Sequence, residues 1–338
     1  MPENMEIAAL RSAGQDSWLH AAVPVVVDAV IEKSSASGKP YLEVQLCDAR
    51  DRFALRVWSD NGQYDTARSL AAGSCLRLEG EFHVHPQFGL EARKWSFRAL
   101  EGKEKEEFLA GPPDLRARQE ADYAFLAETI DKIKDPRLRE LGLSFLEKFG
   151  PRFRRTAAAR FFHHARRGGL VEHTAQMMRY ADAVCAANPA LHRDLLVSGV
   201  LFHDSGKLWE NCVEEGGFAM PFDERGELLG HINIGIELVN TLWKALPLDD
   251  WKHLQPDSED VRLHLLHLVA AHHGELEFGS PVQPKTPEAI ALHYIDNLDA
   301  KLEMLARGYE SSATVAERIY EKVRPLNVRP VAPLSAGA

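Results

Sequence analysis

The spacing of apolar residues changes once along this chain, near residue 101, and that change limits the fold more than any other feature. Before it, apolar side chains alternate. In "YLEVQLCD", Leu42, Val44 and Leu46 share one side while Glu43 and Gln45 take the other. "FALRVW" puts Phe53, Leu55 and Val57 inward, and Arg56 and Trp58 outward. "CLRLEGEFHVH" continues with Leu76 and Leu78, then Phe82 and Val84 after Gly80. Alternation over short runs is the period of a half-buried strand. After residue 114 the apolar positions recur every three or four residues, the period of a helix facing a core. Helices are expected over Tyr123–Lys134, Pro136–Phe149, Val171–Ala187, Leu191–His203, Leu228–Leu246, Ser258–His273 and Pro287–Leu305.

The 338 residues fit two domains at roughly 150 residues each. The first, 20–100, reads as five short strands, with "FGLEARKWSF" the fifth and the helical "GQYDTARSLAAG" between the third and fourth. That order is the pattern of a five-stranded OB-fold β-barrel, a fold that often holds single-stranded nucleic acid. "EGKEKEEFLAGPPD", 101–114, is charged and then rich in Gly and Pro, and reads as a linker. An all-α domain is expected over 115–310, with a disordered tail over 326–338. No apolar run approaches the ~20 residues of a membrane span, and "MPENMEIAALRSAG" lacks the pattern of a secretory signal. Four scattered cysteines without a CxxC pair suit a cytoplasmic protein. A net charge of -10 argues against a non-specific nucleic-acid coat, while leaving room for an acidic site that takes metal ions.

Twelve of the 15 histidines lie between His163 and His293. His173 stands in "GLVEHT", His203 and Asp204 in "LFHDSGK", His231 in "LLGHI", His272 and His273 in "AAHHGE", and Asp296 in "HYIDNLDA". Each falls on, or at the end of, a different expected helix. Imidazole and carboxylate are ligands for borderline divalent metals, and a helical bundle can gather them at one interior point. A lone histidine on a helix is more often surface or core, which is the reading for His192, His253, His264 and His267. The His203-Asp204 pair differs, because it closes the apolar run "LLVSGVLF". Burying two such groups without partners is costly, and a metal ion would satisfy both. Gly206 then allows a tight backbone, and Lys207 follows it.

The ordered set His173, His203-Asp204 and Asp296 resembles the H…HD…D pattern of HD-domain metal-dependent phosphohydrolases. With "SGKPYLEVQLCD", "HHARRGGLVEHT", "DLLVSGVLFHDSGK", "LLGHI", "HHGELEFGSP" and "LHYIDNLDAK", the chain is similar to the YhaM-type 3′-to-5′ exoribonucleases over nearly its whole length. The resemblance implies an HD-domain helical bundle after the barrel. It implies His173, His203, Asp204 and Asp296 as primary metal ligands, with His231 and His272 completing a second site. Asp296 is preferred to Asp299, which lies three residues on. Asp204 and Lys207 become the catalytic residues. The cofactor is a divalent metal, two ions, manganese first, with cobalt, iron or zinc open.

Substrate contacts are expected from His163, His164, Arg166, Arg167 and His273. "PRFRRTAAARFFHHARRGGLV" carries Arg152, Arg154, Arg155, Arg160, Arg166 and Arg167 and no acidic residue, and guanidinium forks suit phosphate. Tyr41, Trp58 and Trp95 alternate with polar residues and are candidates for stacking bases. The implied activity is hydrolysis of single-stranded RNA, or single-stranded DNA, from the 3′ end to nucleoside 5′-monophosphates, in the cytoplasm, with a homo-oligomer open. Two alternatives stand beside it. One is an HD phosphohydrolase of free nucleotides or cyclic dinucleotides. The other is a non-catalytic RNA-binding protein.

Overall fold

The structure is a computed structural model that describes residues 3–14, 17–85, 89–312 and 314–334. Phe88, which opens the expected fifth strand, and the last four residues of the expected tail lie outside them. Strand β1 (Glu3–Asn4) and helix α1 (Ile7–Ala13) precede β2 (Leu19–Ser34), β3 (Pro40–Cys47), β4 (Arg52–Trp58), α2 (Tyr64–Arg68), β5 (Cys75–His85), β6 (Gly89–Ala99) and α3 (Gly102–Ala110). Alternation decides which faces are buried. Leu42, Val44, Leu46, Phe53, Leu55 and Val57 are buried, whereas Ala54, Arg56 and Trp58 are exposed. Ile7 and Leu10 of α1 join that core.

The strand order is β4-β3-β2-β5-β6, with β1 parallel beside β2. β2 spans 16 residues, so Val26 pairs with Cys47 on one side and with Cys75 on the other. This antiparallel sheet, with a helix between its third and fourth main strands, is compatible with an OB-like fold. The closed barrel expected from the sequence differs in one respect. Among the described residues no ladder joins the edge strands β4 and β6. Side chains line that gap instead, Trp18, Arg56, Trp58 and Arg93 among them, around a groove of about 650 Å³.

Trp95 corrects the alternation rule. It is buried in the core rather than facing outward. The β5–β6 register shifts between Glu79 and Glu81, Lys94 takes φ 47°, and Gly80 sits where a Cβ would lie 2.8 Å from Trp95 Cβ. This bulge inserts a residue and turns the next side chain to the other face.

The helical unit comprises Pro113–Cys212 and Phe222–Lys301. Its helices are α4 (Pro113–Asp131), α5 (Pro136–Phe153), α6 (Gly169–Ala187), α7 (Arg193–Phe202), α8 (Lys207–Glu210), α9 (Glu224–Lys244), α10 (Ser258–Ala271) and the start of α11 (Pro287–Ser311). The helix α7 is buried on every side from Asp194 to Phe202, so it must run through the middle of the bundle. It packs against α5, α6 and α10. Phe202 meets Phe145 edge-on at 5.3 Å between centroids. Gly199 leaves room for Leu268, whose Cδ2 would lie 2.3 Å from an added Cβ. Whatever follows Phe202 is therefore delivered to the centre of this unit.

The sheet unit is discontinuous. It takes in residues up to Pro112, Val213–Pro221, and Leu302 onward. Met220 N–H donates to the buried Asp28 at 2.6 Å, the Phe218 ring meets Phe108 of α3 at 5.4 Å, and Arg307 pairs with Asp51 at 2.8 Å. The segment read as a linker thus contains a helix, α3. Strands β7 (Thr314–Ala316) and β8 (Ile319–Tyr320) follow, and Val323 bridges Val328 while Ile319 bridges Val331. Much of the segment read as a disordered tail is thereby folded back. No helix of the described residues is long and apolar enough to cross a membrane.

Candidate metal centre

Four helices bring their ends or inner faces to one carboxylate, Asp204. His203 and Asp204 directly follow α7. His203 Nδ1–H donates to Val200 O at 2.8 Å, which leaves Nε2 facing Asp204 Oδ2 at 3.3 Å. His272, at the end of α10, repeats the arrangement: Nδ1–H donates to Val269 O at 2.8 Å, and Nε2 faces Asp204 Oδ1 at 3.6 Å. His231 of α9 donates Nδ1–H to Glu210 Oε2 at 2.8 Å and turns Nε2 to Asp204 Oδ1 at 3.5 Å. His173 of α6 puts Nδ1 on Asp299 Oδ2 at 2.7 Å. Its Nε2 faces Asp296 Oδ1 at 3.3 Å and Asp204 Oδ2 at 3.8 Å. Asp296 and Asp299 project from the same helix, α11, and only Asp296 stands on the Nε2 side.

Two glycines explain the local chain path. Gly206 has ordinary right-handed helical angles, φ −67° and ψ −20°, so the conformational reason given above is wrong. Packing demands it: a Cβ there would lie 1.9 Å from the His231 carbonyl oxygen. Gly230, at φ 70° and ψ 154°, breaks α9 just before His231 and lets that side chain swing inward.

Several expected contacts are placed elsewhere. Lys207 Nζ lies 2.7 Å from Asp204 Oδ2 and is buried against it. The arginine island is largely engaged within the unit. Arg166 pairs with Glu172 Oε1 at 3.1 Å, Arg154 with Glu120, and Arg160 stacks over Phe222 at 4.0 Å. Arg152 lies over Trp209 at 5.3 Å, and the Arg167 carbonyl accepts from Gln119 at 2.8 Å. His164 Nε2 is 3.0 Å from Asp299 Oδ2. His163 lies beside His173, with ring centroids 5.5 Å apart and no partner for Nδ1. His273 packs on His272 at 4.4 Å and donates to Phe278 O at 2.7 Å. In the sheet unit Tyr41 and Trp58 are cross-strand neighbours with rings 5.1 Å apart and Trp58 exposed. His192 and His267, set aside from the sequence, accept backbone N–H groups of Leu195 and Lys285. Glu210 and Glu172 were missed as part of the site, whereas Asp299 was weighed against Asp296 and stands behind His173. A sequence signal existed only for Asp299, as the helix-face neighbour of Asp296.

The electrostatics are those of a dense anion–imidazole cluster. Burial disfavours the charge on His173, but Asp296 and Asp299 outweigh it and raise its pKa to about 10. Burial also opposes the Asp204 charge, while Lys207 and His203 hold the carboxyl well below the usual range. Glu172 is likewise held low against burial by His164, Arg166 and Gln119. Burial drives His163 down to about 3, and His273 to about 4. Burial likewise lowers His231, against the pull of Glu210.

These residues suit a divalent cation. Asp204 Oδ1, His231 Nε2 and His272 Nε2 are buried without a hydrogen-bond partner, a costly state for native polar atoms. With Nδ1–H committed to a carbonyl or carboxylate, Nε2 is the ring nitrogen left facing the anion in both His231 and His272. A cation among them would satisfy all three.

The sequence model of the family described as HD domain matches residues 170–301, the stretch that carries this centre. Two relatives extend the likeness beyond the helices. A 3′-5′ exoribonuclease YhaM of Bacillus subtilis (strain 168) is 33% identical over 279 residues, 82% of this chain and 83% of its own. Another, from Bacillus pumilus (strain SAFR-032), is 32% identical over 291 residues, 85% and 87% of the two chains. A solved asparaginyl-tRNA synthetase from Pyrococcus horikoshii covers 44% of this chain and 36% of its own at 17% identity. Its TM-score of 0.24 is too low to bear on the fold. The centre is that of an HD-domain protein. The chain belongs to the YhaM 3′-5′ exoribonuclease family.

Proposed function

We propose that this chain is a metal-dependent 3′-to-5′ exoribonuclease that hydrolyses single-stranded RNA to nucleoside 5′-monophosphates. One observation carries the reading: partnerless buried lone pairs of His231 and His272 converge on Asp204 Oδ1, in a family named for that activity. His173, His203, Asp204 and Asp296 would hold one divalent ion, and Asp204, His231 and His272 a second. Manganese is the first candidate, with cobalt, iron and zinc suiting the same donors. Such ions supply an activated water and charge relief on the phosphoryl oxygens.

The chain's own residues supply position, charge and hydrogen-bonding groups. Lys207 grips Asp204 Oδ2 at 2.7 Å, which fixes the carboxylate rotamer and leaves Oδ1 for His231 and His272. It also places a positive charge beside the phosphate position. His163 is neutral at working pH, because burial lowers it to about 3, and its free Nδ1 is a hydrogen-bonding group for the terminal nucleotide. His273 stands beside the second half of the centre. The sheet unit is read as an OB-fold strand platform, on which the exposed Trp58 and the half-buried Tyr41 beside it stack bases.

Digestion of 5′-labelled single-stranded RNA, with Mn²⁺ and with chelator, tests the reading. A descending ladder that chelator abolishes is expected. Cutting of circular RNA at a comparable rate would overturn exonuclease action. Single-stranded DNA run in parallel decides whether the 2′-hydroxyl is read.

A further inference from the structure

Every histidine that faces Asp204 is held from behind, but the supports differ in kind. His203 and His272 rest on backbone carbonyls. His173 and His231 rest on carboxylates, Asp299 and Glu210. One carboxylate-backed histidine thus stands on each side of Asp204: His173 by Oδ2 at 3.8 Å, His231 by Oδ1 at 3.5 Å.

We propose that Glu210 and Asp299 are positioning residues that set the ion occupancy of the two halves separately. Glu210 governs the half made with His231 and His272, and Asp299 the half made with His173, His203 and Asp296. The inference rests on the reading of the cluster as a centre for two divalent ions.

A carboxylate that accepts Nδ1–H fixes the tautomer and orientation of the ring and raises the donor strength of Nε2. Glu210 does more than that. Its Oε2 also accepts the backbone N–H of His231 at 3.1 Å, so one oxygen holds both the ring and the chain that carries it. The neighbouring packing keeps it there. Gly226 lets α9 approach so closely that an added Cβ would lie 2.9 Å from Glu210 Cα. Asp299 is buttressed differently, since its Oδ2 takes both His173 Nδ1 at 2.7 Å and His164 Nε2 at 3.0 Å. The Asp299 side chain is 6% exposed and lies within a long helix, whereas Glu210 is 32% exposed on the four-residue α8. The Glu210 half is therefore the one that empties first when metal is scarce.

The test uses the full-length chain stripped of metal and titrated with Mn²⁺. Calorimetry counts the ions and their affinities, and paramagnetic resonance separates a coupled pair from a lone ion. Wild type should bind two. Glu210→Ala should weaken one by about 10–100-fold, leave the other unchanged, and convert the coupled signal to that of an isolated ion. Glu210→Gln, whose amide oxygen can still accept, should fall between. Asp299→Asn should weaken the other ion by a similar factor. If Glu210→Ala fails to fold by circular dichroism, Glu210→Gln decides alone. Wild-type affinities in the Glu210 variants, or equal weakening of both ions, overturn the proposal. Wild-type protein that binds no Mn²⁺ overturns the two-ion reading itself, a result distinct from failure of the variants.

Discussion

Asp204 carries opposite tasks on its two oxygens. Oδ2 lies against Lys207 and His203, and Oδ1 faces His231 and His272. Asp204→Asn keeps the shape and removes the charge. It should lower hydrolysis by more than about 100-fold, the upper range for outer partners alone, and lower Mn²⁺ content with unchanged helicity. Near wild-type turnover would remove Asp204 from the centre. Legibility from sequence divides along the same lines. His203 and Asp204 stood out because two polar groups closed an apolar run. Glu210 and Glu172 did not, since a carboxylate in "KLWE" or "VEHT" looks like any solvated helix charge until its partners are known. A second residue-scale expectation concerns Asp48 in the sheet unit. Burial raises its carboxyl pKa from 3.8 to about 6, against hydrogen bonds from the backbone of Ile7, Asp51 and Arg50. The folded state holds this proton more tightly than the unfolded one. From this group alone, stability is highest below about pH 4, falls through about pH 6, and is level above it. A carboxyl ¹³C titration that places Asp48 at its ordinary value would contradict this.

At the scale of elements, α7 behaves as its sequence predicts. An apolar run with no polar side has to be central, and a central helix has to end inside. The spacing also marked the other long helices, although α4 begins at Pro113, ten residues before the expected start, and α11 runs on to Ser311. It failed at Trp95, because the bulge opposite Gly80 breaks the period of two. Nor does a run of guanidinium groups reveal in the sequence which acidic or aromatic partners the fold returns to it, here Glu172, Glu120 and Phe222. The close contact of α8 with α9 gives a sharp expectation. In Gly206→Ala the new methyl would lie 1.9 Å from the His231 carbonyl oxygen, and backbone cannot step aside as a flexible side chain can. The variant should lose about 3 kcal/mol in urea unfolding and lose Mn²⁺ with it. Gly62→Ala, which has nothing within 4 Å of its new methyl, should lose neither. Equal behaviour of the two would mean that the α8–α9 contact does not support the centre.

For the whole molecule, the change of period near residue 101 foretold two kinds of architecture, but not how the chain is shared between them. Nothing in "VEEGGFAMP" marks it as part of a sheet unit that begins at the other end of the sequence. Removing the first 112 residues to isolate the helices would therefore strip Met220 and Phe218 of their partners, Asp28 and Phe108. Point changes are the cleaner test of the strand platform. Tyr41→Ala and Trp58→Ala should each raise KM on long single-stranded RNA by about 5- to 150-fold, the range for one stacked base. Neither should alter kcat or Mn²⁺ binding. Unchanged KM in both would exclude this aromatic pair as the platform. The shared unit also has a consequence in time. Asp28 meets Met220, and Asp51 meets Arg307, only after those late residues have been made. At about 5–20 residues per second on the ribosome, the strands wait roughly 10–40 s between synthesis of α3 and arrival of Arg307. During that interval Asp28 and Asp51 have only their early partners, Arg52 and Arg11, and lack the contacts that Met220 and Arg307 add. A chain whose translation stops before residue 302 should leave its earliest-made part exposed to proteases.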